Sequence, residues 1–151
     1  MGTELADERF AALLAALAKT FGLDELSADE DGACALMFDG QPVSLQLDSE
    51  SGRFTLFAQV GMLAPGAPPA RLENLLAGNL FWAATDGATL SFFKETRRVM
   101  LARRFDLAGL DPAAFEKDLE GFLNAADAWR AYLDSEEAAP VEAGIPMHLR
   151  A

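Results

Sequence analysis

The sequence predicts an α+β fold with the order α-β-β-β-α-β-β-α, in which helices pack on a twisted antiparallel sheet. Apolar residues recur at helical spacing in three stretches and alternate with polar or small residues in five others. Asp39-Gly40, which separates two alternating stretches, is typical of a tight hairpin turn. A chain of 151 residues has room for one domain with one hydrophobic core.

The first element is a helix predicted over residues 5–21. Its large apolar residues fall on one stripe, at the spacing i, i+3, i+4, i+7 and i+11: Phe10, Leu13, Leu14, Leu17 and Phe21. Gly22 follows at the position of a C-terminal cap. The acidic run of residues 29–31 lacks the alternating ligands and the glycine turn of a calcium loop, so we interpret it as a solvated loop.

Three strands are predicted next, over residues 33–38, 43–48 and 54–60, as an antiparallel meander with one buried face. Met37 and Phe57 fall on the other face. Either helices cover these two side chains, or they form part of an exposed apolar surface of the kind that binds protein. An extended peptide could then also bond to a free edge of the sheet.

A second helix is predicted over residues 70–84, opened by Pro68-Pro69. Leu72, Leu75, Leu76 and Leu80 form one stripe, and Phe81 and Trp82 widen it beyond what a single core needs. A helix that is apolar on two sides is either deeply buried or shared with another subunit. In a chain this short the second interpretation is favoured, which predicts a homodimer.

A second hairpin is predicted over residues 88–93 and 98–105, with Phe93 and Met100 on its outward face. Asp111-Pro112 starts the last helix as its cap and first-turn proline. Apolar periodicity ends near residue 134. The sequence thus predicts one domain over residues 1–134 and a flexible C-terminal tail over residues 135–151.

The formal net charge is −12, which disfavours nucleic acid and anionic membranes as partners and would complement a basic polypeptide. No apolar run reaches the length of a membrane span. The N-terminus carries acids where a signal peptide would carry lysines, so no export signal is expected. The single cysteine, Cys34, suits a reducing compartment. Together these features predict a cytoplasmic location.

The sequence contains no convincing pattern of catalytic residues, so we expect no catalytic residue, cofactor or metal. His148 is the only histidine and lies in the predicted tail, which excludes histidine-based triads and two-histidine metal sites. Cys34 occupies an inward strand position, where a small core residue is favoured over a nucleophile. No glycine-rich phosphate loop is present.

A cluster of basic residues lies in the turn and second strand of the second hairpin: Lys94, Arg97, Arg98, Arg103 and Arg104. It lacks the aromatic platform of a nucleic-acid surface. The favoured interpretation is a charged hairpin that discourages edge-to-edge aggregation, and the alternative is a role in subunit or partner pairing.

Two other classes of function remain open. A small enzyme could use Asp39 with Asp48 as a carboxylate pair of raised pKa, although both residues lie in or next to hairpin turns. A purely structural assembly subunit would be a stable dimer without a client.

Several stretches, in this order and spacing, resemble the class I type III secretion chaperones, the Tir chaperone (CesT) family. The resemblance extends from about residue 5 to residue 133 and is carried by LLAALAKTFGLDEL, DEDGACALMFDGQPVSLQL, GRFTLFAQVGML, LENLLAGNLFW and RRVMLARRFDLAGLDPAAFEKDLEGFLNAADAWRAYL. The Ala-rich first helix and the long tail depart from the family pattern.

The resemblance implies a cytoplasmic homodimer that binds the N-terminal region of one or a few type III secretion effectors and keeps it non-globular. It implies effector-binding residues in the first helix and strands: Leu13, Leu17, Met37, Leu45 and Phe57. It implies dimer residues in the middle helix and the strand after it: Leu75, Leu76, Leu80, Trp82 and Phe93. The alternative is a regulator of the same fold that sequesters another secretion-system protein.

Overall fold

The computed structural model describes residues 2–135. Within them the elements, in chain order, are α1 (Gly2–Phe21), β1 (Ala33–Phe38), β2 (Gln41–Asp48), β3 (Arg53–Met62), α2 (Pro69–Gly78), a 3-10 turn (Leu80–Trp82), β4 (Thr89–Phe93), β5 (Arg98–Asp106) and α3 (Pro112–Asp134). The predicted order is confirmed, with the 3-10 turn as an addition. The predicted tail beyond residue 135, with His148, lies outside the described residues.

The five strands form one sheet with the order β1-β2-β3-β5-β4, so β1 and β4 are its edges. The β1–β2, β2–β3 and β4–β5 pairs are antiparallel. The first hairpin closes at the pair Phe38–Gln41. Its two turn residues, Asp39 and Gly40, both have positive φ, as a two-residue turn of this hand requires. The antiparallel sheet predicted from alternation is therefore confirmed.

The chain divides into two compact units. The first unit comprises Met1–Phe57 and Arg104–Asp118, and the second comprises Ala58–Arg103 and Leu119–Ala151. The long elements β3, β5 and α3 each contribute residues to both.

The core of the first unit is organised around Phe54, whose side chain is fully buried. Its ring centroid lies 5.4 Å from that of Phe10 on α1. Phe105 on β5 and Phe115 on α3 each lie 5.3 Å from it. Offset and edge-on aromatic pairs at these distances add to the stability gained from burial alone. The apolar stripe of α1 thus packs against strand residues as its periodicity predicts.

The core of the second unit is organised around Trp129 on α3, which is 0% exposed. Its indole Nε1 donates to the carbonyl oxygen of Ala84 at 2.9 Å, so the one polar atom of the ring is satisfied. A Cβ atom on Gly78 would lie 2.4 Å from the Trp129 ring. Only glycine therefore allows the end of α2 to approach this ring.

The prediction that the second helix extends to residue 84 is wrong, because α2 ends at Gly78. The Asn79 amide pairs with the main chain of Leu90 on β4: its Nδ2 donates to the carbonyl oxygen at 3.0 Å, and its Oδ1 accepts from the N–H at 2.7 Å. Phe81 and Trp82 then take left-handed φ values of 53° and 56°, which a continuing helix cannot accommodate.

No helix within residues 2–135 is both long enough and apolar enough to cross a bilayer.

Candidate functional site

The predicted effector-binding residues divide into buried and accessible side chains. Leu13, Leu17 and Leu45 are buried in the core of the first unit. Met37 is 65% exposed, and Phe57 is half-buried. In this conformation only the last two can contact another molecule, so they are the accessible part of the predicted set.

Met37 belongs to β1, an edge strand that pairs with β2 on one side only. In an antiparallel ladder, alternate residues direct their N–H and C=O groups to the same side. Ala33 directs both groups to the open side, where they bond to Asp29: the Asp29 carboxylate accepts from the Ala33 N–H, and the Asp29 N–H donates to the Ala33 carbonyl, each at 2.9 Å. Ala35 and Met37 share this orientation. No residue within the described range 2–135 bonds to their open-side groups.

The outward face of the sheet next to this edge is mainly apolar. Met37 lies opposite Pro42, and Ala35 lies opposite Ser44. Ser44 in turn lies opposite Phe57 on β3. Alternate side chains of an added strand would therefore contact Ala35 and Met37 on β1. Pro42 on β2 and Phe57 on β3 continue the same apolar face of the sheet. We call β1 with these outward side chains the β1 edge surface.

The inward side of the same edge also carries accessible apolar groups. The ring of Phe21, the last residue of α1, lies 5.3 Å from the ring of Phe38 in an edge-on arrangement. Phe21 and Leu23 are both exposed large apolar residues. The helical stripe placed Phe21 in the core. Phe21 is exposed because it is the last residue of α1. Its position at the helix end, directly before Gly22, is the feature of the sequence that could have indicated this exposure.

The predicted dimer residues are mostly accessible. Leu76 is 74% exposed and Trp82 is 53% exposed, and Leu80 and Phe93 are also exposed. Leu75 is buried instead. Leu72, Met62 and Phe81 join the exposed apolar residues of the second unit. Thus α2 buries Leu75 and leaves Leu72 and Leu76, one turn apart, exposed.

A shallow groove of about 110 Å³ runs beside α2 in the second unit. Leucines of α2 form one wall, and residues of the β4–β5 hairpin form the other: Leu72, Leu75 and Leu76, then Leu90, Phe92 and Val99. The exposed leucines of α2 and this groove make a continuous apolar area, which we call the α2 surface. Large exposed apolar areas of this kind mark protein-binding sites.

The basic cluster is partly engaged within the second unit. The Arg97 guanidinium donates to the carbonyl oxygens of Leu63 and Ala64 and lies 5.0 Å from the Phe92 ring. Arg103 donates to the carbonyl oxygen of Asp86 at 3.2 Å. These contacts favour a structural role for the two arginines, while Lys94, Arg98 and Arg104 are exposed.

The candidate chemical groups lack the features of a catalytic site. Burial, followed by the negative charge of Asp29, raises the pKa of the Cys34 thiol, so the nucleophilic thiolate is disfavoured. Hydrogen bonds from Ser51 lower the pKa of Asp48, whereas a general acid requires a raised value. Within residues 2–135, no group of three or more His, Cys, Asp or Glu side chains is placed to hold a metal ion.

An open sheet edge and two exposed apolar surfaces are typical of a protein that binds other polypeptides. The family profile of the Tir chaperone protein (CesT) family matches residues 12–130. The chain belongs to this family. The expectation that the protein is not an enzyme agrees with its membership of a chaperone family.

Among characterised proteins, the chain is similar to ExsC of Pseudomonas aeruginosa, named a transcriptional anti-antiactivator. The two are 33% identical over 139 residues, which cover 88% of this chain and 92% of ExsC. A Chlamydia pneumoniae protein is 30% identical over 105 residues, covering 69% of this chain and 79% of that protein.

Two solved structures are also similar. A chain of the ExsC–ExsE complex aligns with a TM-score of 0.73 and 30% identity, covering 87% of this chain and 98% of that one. A chain of the HopA1–SchA chaperone–effector complex aligns with a TM-score of 0.71. Its identity is 19%, and the alignment covers 84% of this chain and 97% of that one. The latter likeness concerns the fold.

Proposed function

We propose that the protein is a cytoplasmic chaperone of bacterial type III secretion, which binds the N-terminal region of one or a few effectors and keeps it non-globular, soluble and competent for secretion. It acts as a homodimer and catalyses no reaction. Membership of the Tir chaperone family supports this function, as does similarity to chains that bind a partner in the ExsC–ExsE and HopA1–SchA complexes.

The observation that carries the proposal is the number of large apolar side chains left exposed. Eleven such residues are accessible within the described range, from Leu5 to Phe93. Some exposed apolar area is normal for any protein. Here, however, the exposed residues include Met37 on an open sheet edge and a leucine pair on one side of α2.

The two surfaces serve different contacts in this proposal. The β1 edge surface binds the effector: main-chain hydrogen bonds at Ala35 and Met37 give affinity that is largely independent of sequence, and the flanking apolar groups add burial. The α2 surface, together with the exposed residues Leu80, Trp82 and Phe93, joins two protomers. A disordered effector segment loses conformational freedom on binding, so wide apolar burial on both protomers is needed to offset that cost.

The test is capture of the client in cells with an active secretion system. The full-length tagged chain is purified, and bound fragments are trimmed by limited proteolysis and identified by mass spectrometry. We expect one defined N-terminal effector segment, protected in a complex of two chaperone chains and one segment. A monomeric chain that captures no effector would contradict the proposal.

A second candidate function is regulation of secretion genes by sequestering a regulatory protein, which the similarity to the anti-antiactivator ExsC favours. The two functions predict different effects of deleting the gene. Loss of a chaperone lowers the level and export of its effector while transcription of other secretion genes is unchanged. Loss of a regulator changes transcription of many secretion genes, which a promoter reporter measures.

A further inference from the structure

The β1 edge surface lies in a strongly acidic part of the chain. Residues 20–52 contain eight Asp and Glu residues and no Lys or Arg. This stretch includes the whole of β1 and β2. A segment that binds along β1 therefore enters a region of negative potential that no basic side chain of β1, β2 or their connections offsets.

The acids lie at both ends of the open edge. Asp29, Glu30 and Asp31, all exposed, precede β1 at its Ala33 end. Asp39, also exposed, follows it at the Phe38 end. Between these ends the edge carries Ala35 and Met37, whose outward side chains are uncharged. The edge is thus apolar in its middle and acidic at both ends.

Strand geometry fixes the length of segment that fits this pattern. A strand rises by about 3.3 Å per residue, so a partner of about five residues spans β1, and the residues just beyond it reach the acidic ends. Because both ends are acidic, the match does not depend on whether the partner lies parallel or antiparallel to β1.

We infer that the occupant of the β1 edge surface is a basic extended segment: about five residues that alternate apolar and small polar side chains, flanked on each side by Lys or Arg. This inference rests on the proposed function and adds the chemistry of the client. The flanks contribute through exposed ion pairs, each of which is weak, so the preference comes from several acting together and is screened by salt.

Three capped peptides test the inference against the full-length protein: KKVTVTVKK, QQVTVTVQQ and EEVTVTVEE, each with a fluorescent label for anisotropy. At low salt we expect the lysine-flanked peptide to bind at least tenfold more tightly than the glutamate-flanked one, with the glutamine-flanked peptide between them. In 0.5 M NaCl the difference should shrink, because the Debye length falls to a few ångströms.

Two variants locate the binding. Met37→Pro removes the open-side N–H while leaving the β1–β2 hydrogen bonds, since proline is tolerated on edge strands with this orientation. We expect it to abolish binding of all three peptides. A triple variant, Glu30→Gln with Asp31→Asn and Asp39→Asn, keeps the edge and should lower affinity for the lysine-flanked peptide by about fivefold to tenfold.

The matched control neutralises three exposed acids of the second unit: Glu73→Gln, Glu95→Gln and Glu120→Gln. It makes the same change in net charge and should leave affinity for the lysine-flanked peptide within twofold of the unchanged protein. An equal loss in both triple variants would mean that the preference reflects overall charge, and would overturn the inference.

Other outcomes are also decisive. Equal affinities for the three peptides, no binding of any peptide, or binding that survives in Met37→Pro would each overturn the inference. So would conversion of the dimer to a monomer by Met37→Pro, measured by sedimentation, because the edge would then belong to a second copy. The proposed function fails separately, if secreting cells yield no bound effector. A captured effector with a neutral or acidic segment at β1 would leave the function intact and refute only the inference.

Discussion

The two units of the molecule differ in charge. The first unit has fifteen Asp and Glu residues against five Lys and Arg, a net charge of −10. The second has nine against seven, a net charge of −2. Most of the net negative charge therefore lies on the unit that holds the β1 edge surface. The α2 surface lies on the nearly neutral unit.

The units also differ in what they leave exposed. Among residues 2–135, the first unit exposes four large apolar residues, Leu5, Phe21, Leu23 and Met37, whereas the second exposes seven. An apolar surface with little charge favours persistent contact with an identical copy, because like charges then repel weakly. An open edge among acids favours a contact that depends on partner charge and salt. In the proposed function, one small chain thereby separates a stable contact between protomers from an exchangeable contact with a client.

The largest expected effect breaks the first unit. Phe54→Ala removes the ring that contacts Phe10, Phe105 and Phe115, and should lower the free energy of unfolding by about 4 kcal/mol. Chemical denaturation followed by circular dichroism measures the loss. Because β3, β5 and α3 supply residues to both units, we expect buried Trp129 to report the same transition by fluorescence. Two separate transitions would show that the units unfold independently.

Leu76→Asp tests the second unit as the dimer contact. Leu76 is 74% exposed in the protomer, so the fold should persist. A two-fold interface uses each residue twice, and the loss of two buried leucines should weaken dimerisation by about 3 kcal/mol or more, at least about 100-fold in the dissociation constant. Light scattering measures the change. Leu5→Asp, an exposed leucine on α1, is the matched control and should remain dimeric. A dimeric Leu76→Asp variant would place the interface elsewhere.

Arg71→Met tests how the second unit holds the end of α3. The buried guanidinium donates to the carbonyl oxygens of Tyr132 and Ser135 and lies 4.8 Å from the Tyr132 ring. Removing these charge-assisted bonds while keeping the side-chain volume should cost about 2 kcal/mol of unfolding free energy. Arg71→Lys keeps the charge but not the planar guanidinium group, so its free energy of unfolding should lie between those of the unchanged protein and Arg71→Met. Equal stability of all three proteins would refute this role.

The smallest effect concerns Cys34 in the first unit. The pKa of the Cys34 thiol is raised in the folded protein, so folding favours the neutral thiol. The stability that this preference contributes is present below the pKa of the unfolded chain and is lost as pH rises through the pKa of the folded protein. Labelling by a thiol reagent at pH 8 should be slow in the native protein and rapid in denaturant. Cys34→Ala should lower stability by no more than about 1 kcal/mol. Rapid labelling of the native protein would instead support the interpretation of Cys34 as a reactive nucleophile.

The strands could be predicted closely because alternation reports directly which face is buried. The prediction of β1 matched the observed strand at both ends, and β2 and β3 each began earlier than predicted, with β3 also ending later. The end of α2 could not be predicted, since it depends on hydrogen bonds between Asn79 and Leu90, which a local pattern does not record.

The candidate site was predictable in part for a similar reason. Periodicity identifies apolar residues but not whether a second layer covers them. Leu13, Leu17 and Leu45 were expected to contact an effector and are buried, whereas Met37 was expected outward and is exposed. The pairing of Asp29 with Ala33, which leaves only Ala35 and Met37 open along β1, comes from a loop that folds back on the strand.

That loop has a consequence for behaviour at high concentration. Exposed strand edges can template stacking of chains into fibrils, and proteins with long bare edges aggregate. By occupying Ala33, Asp29 shortens the unsatisfied stretch of β1 to Ala35 and Met37, and a short bare edge is one of the features by which proteins limit edge-to-edge stacking. In the proposed function, this short edge receives a client segment while less bare edge is presented to another copy of the chain.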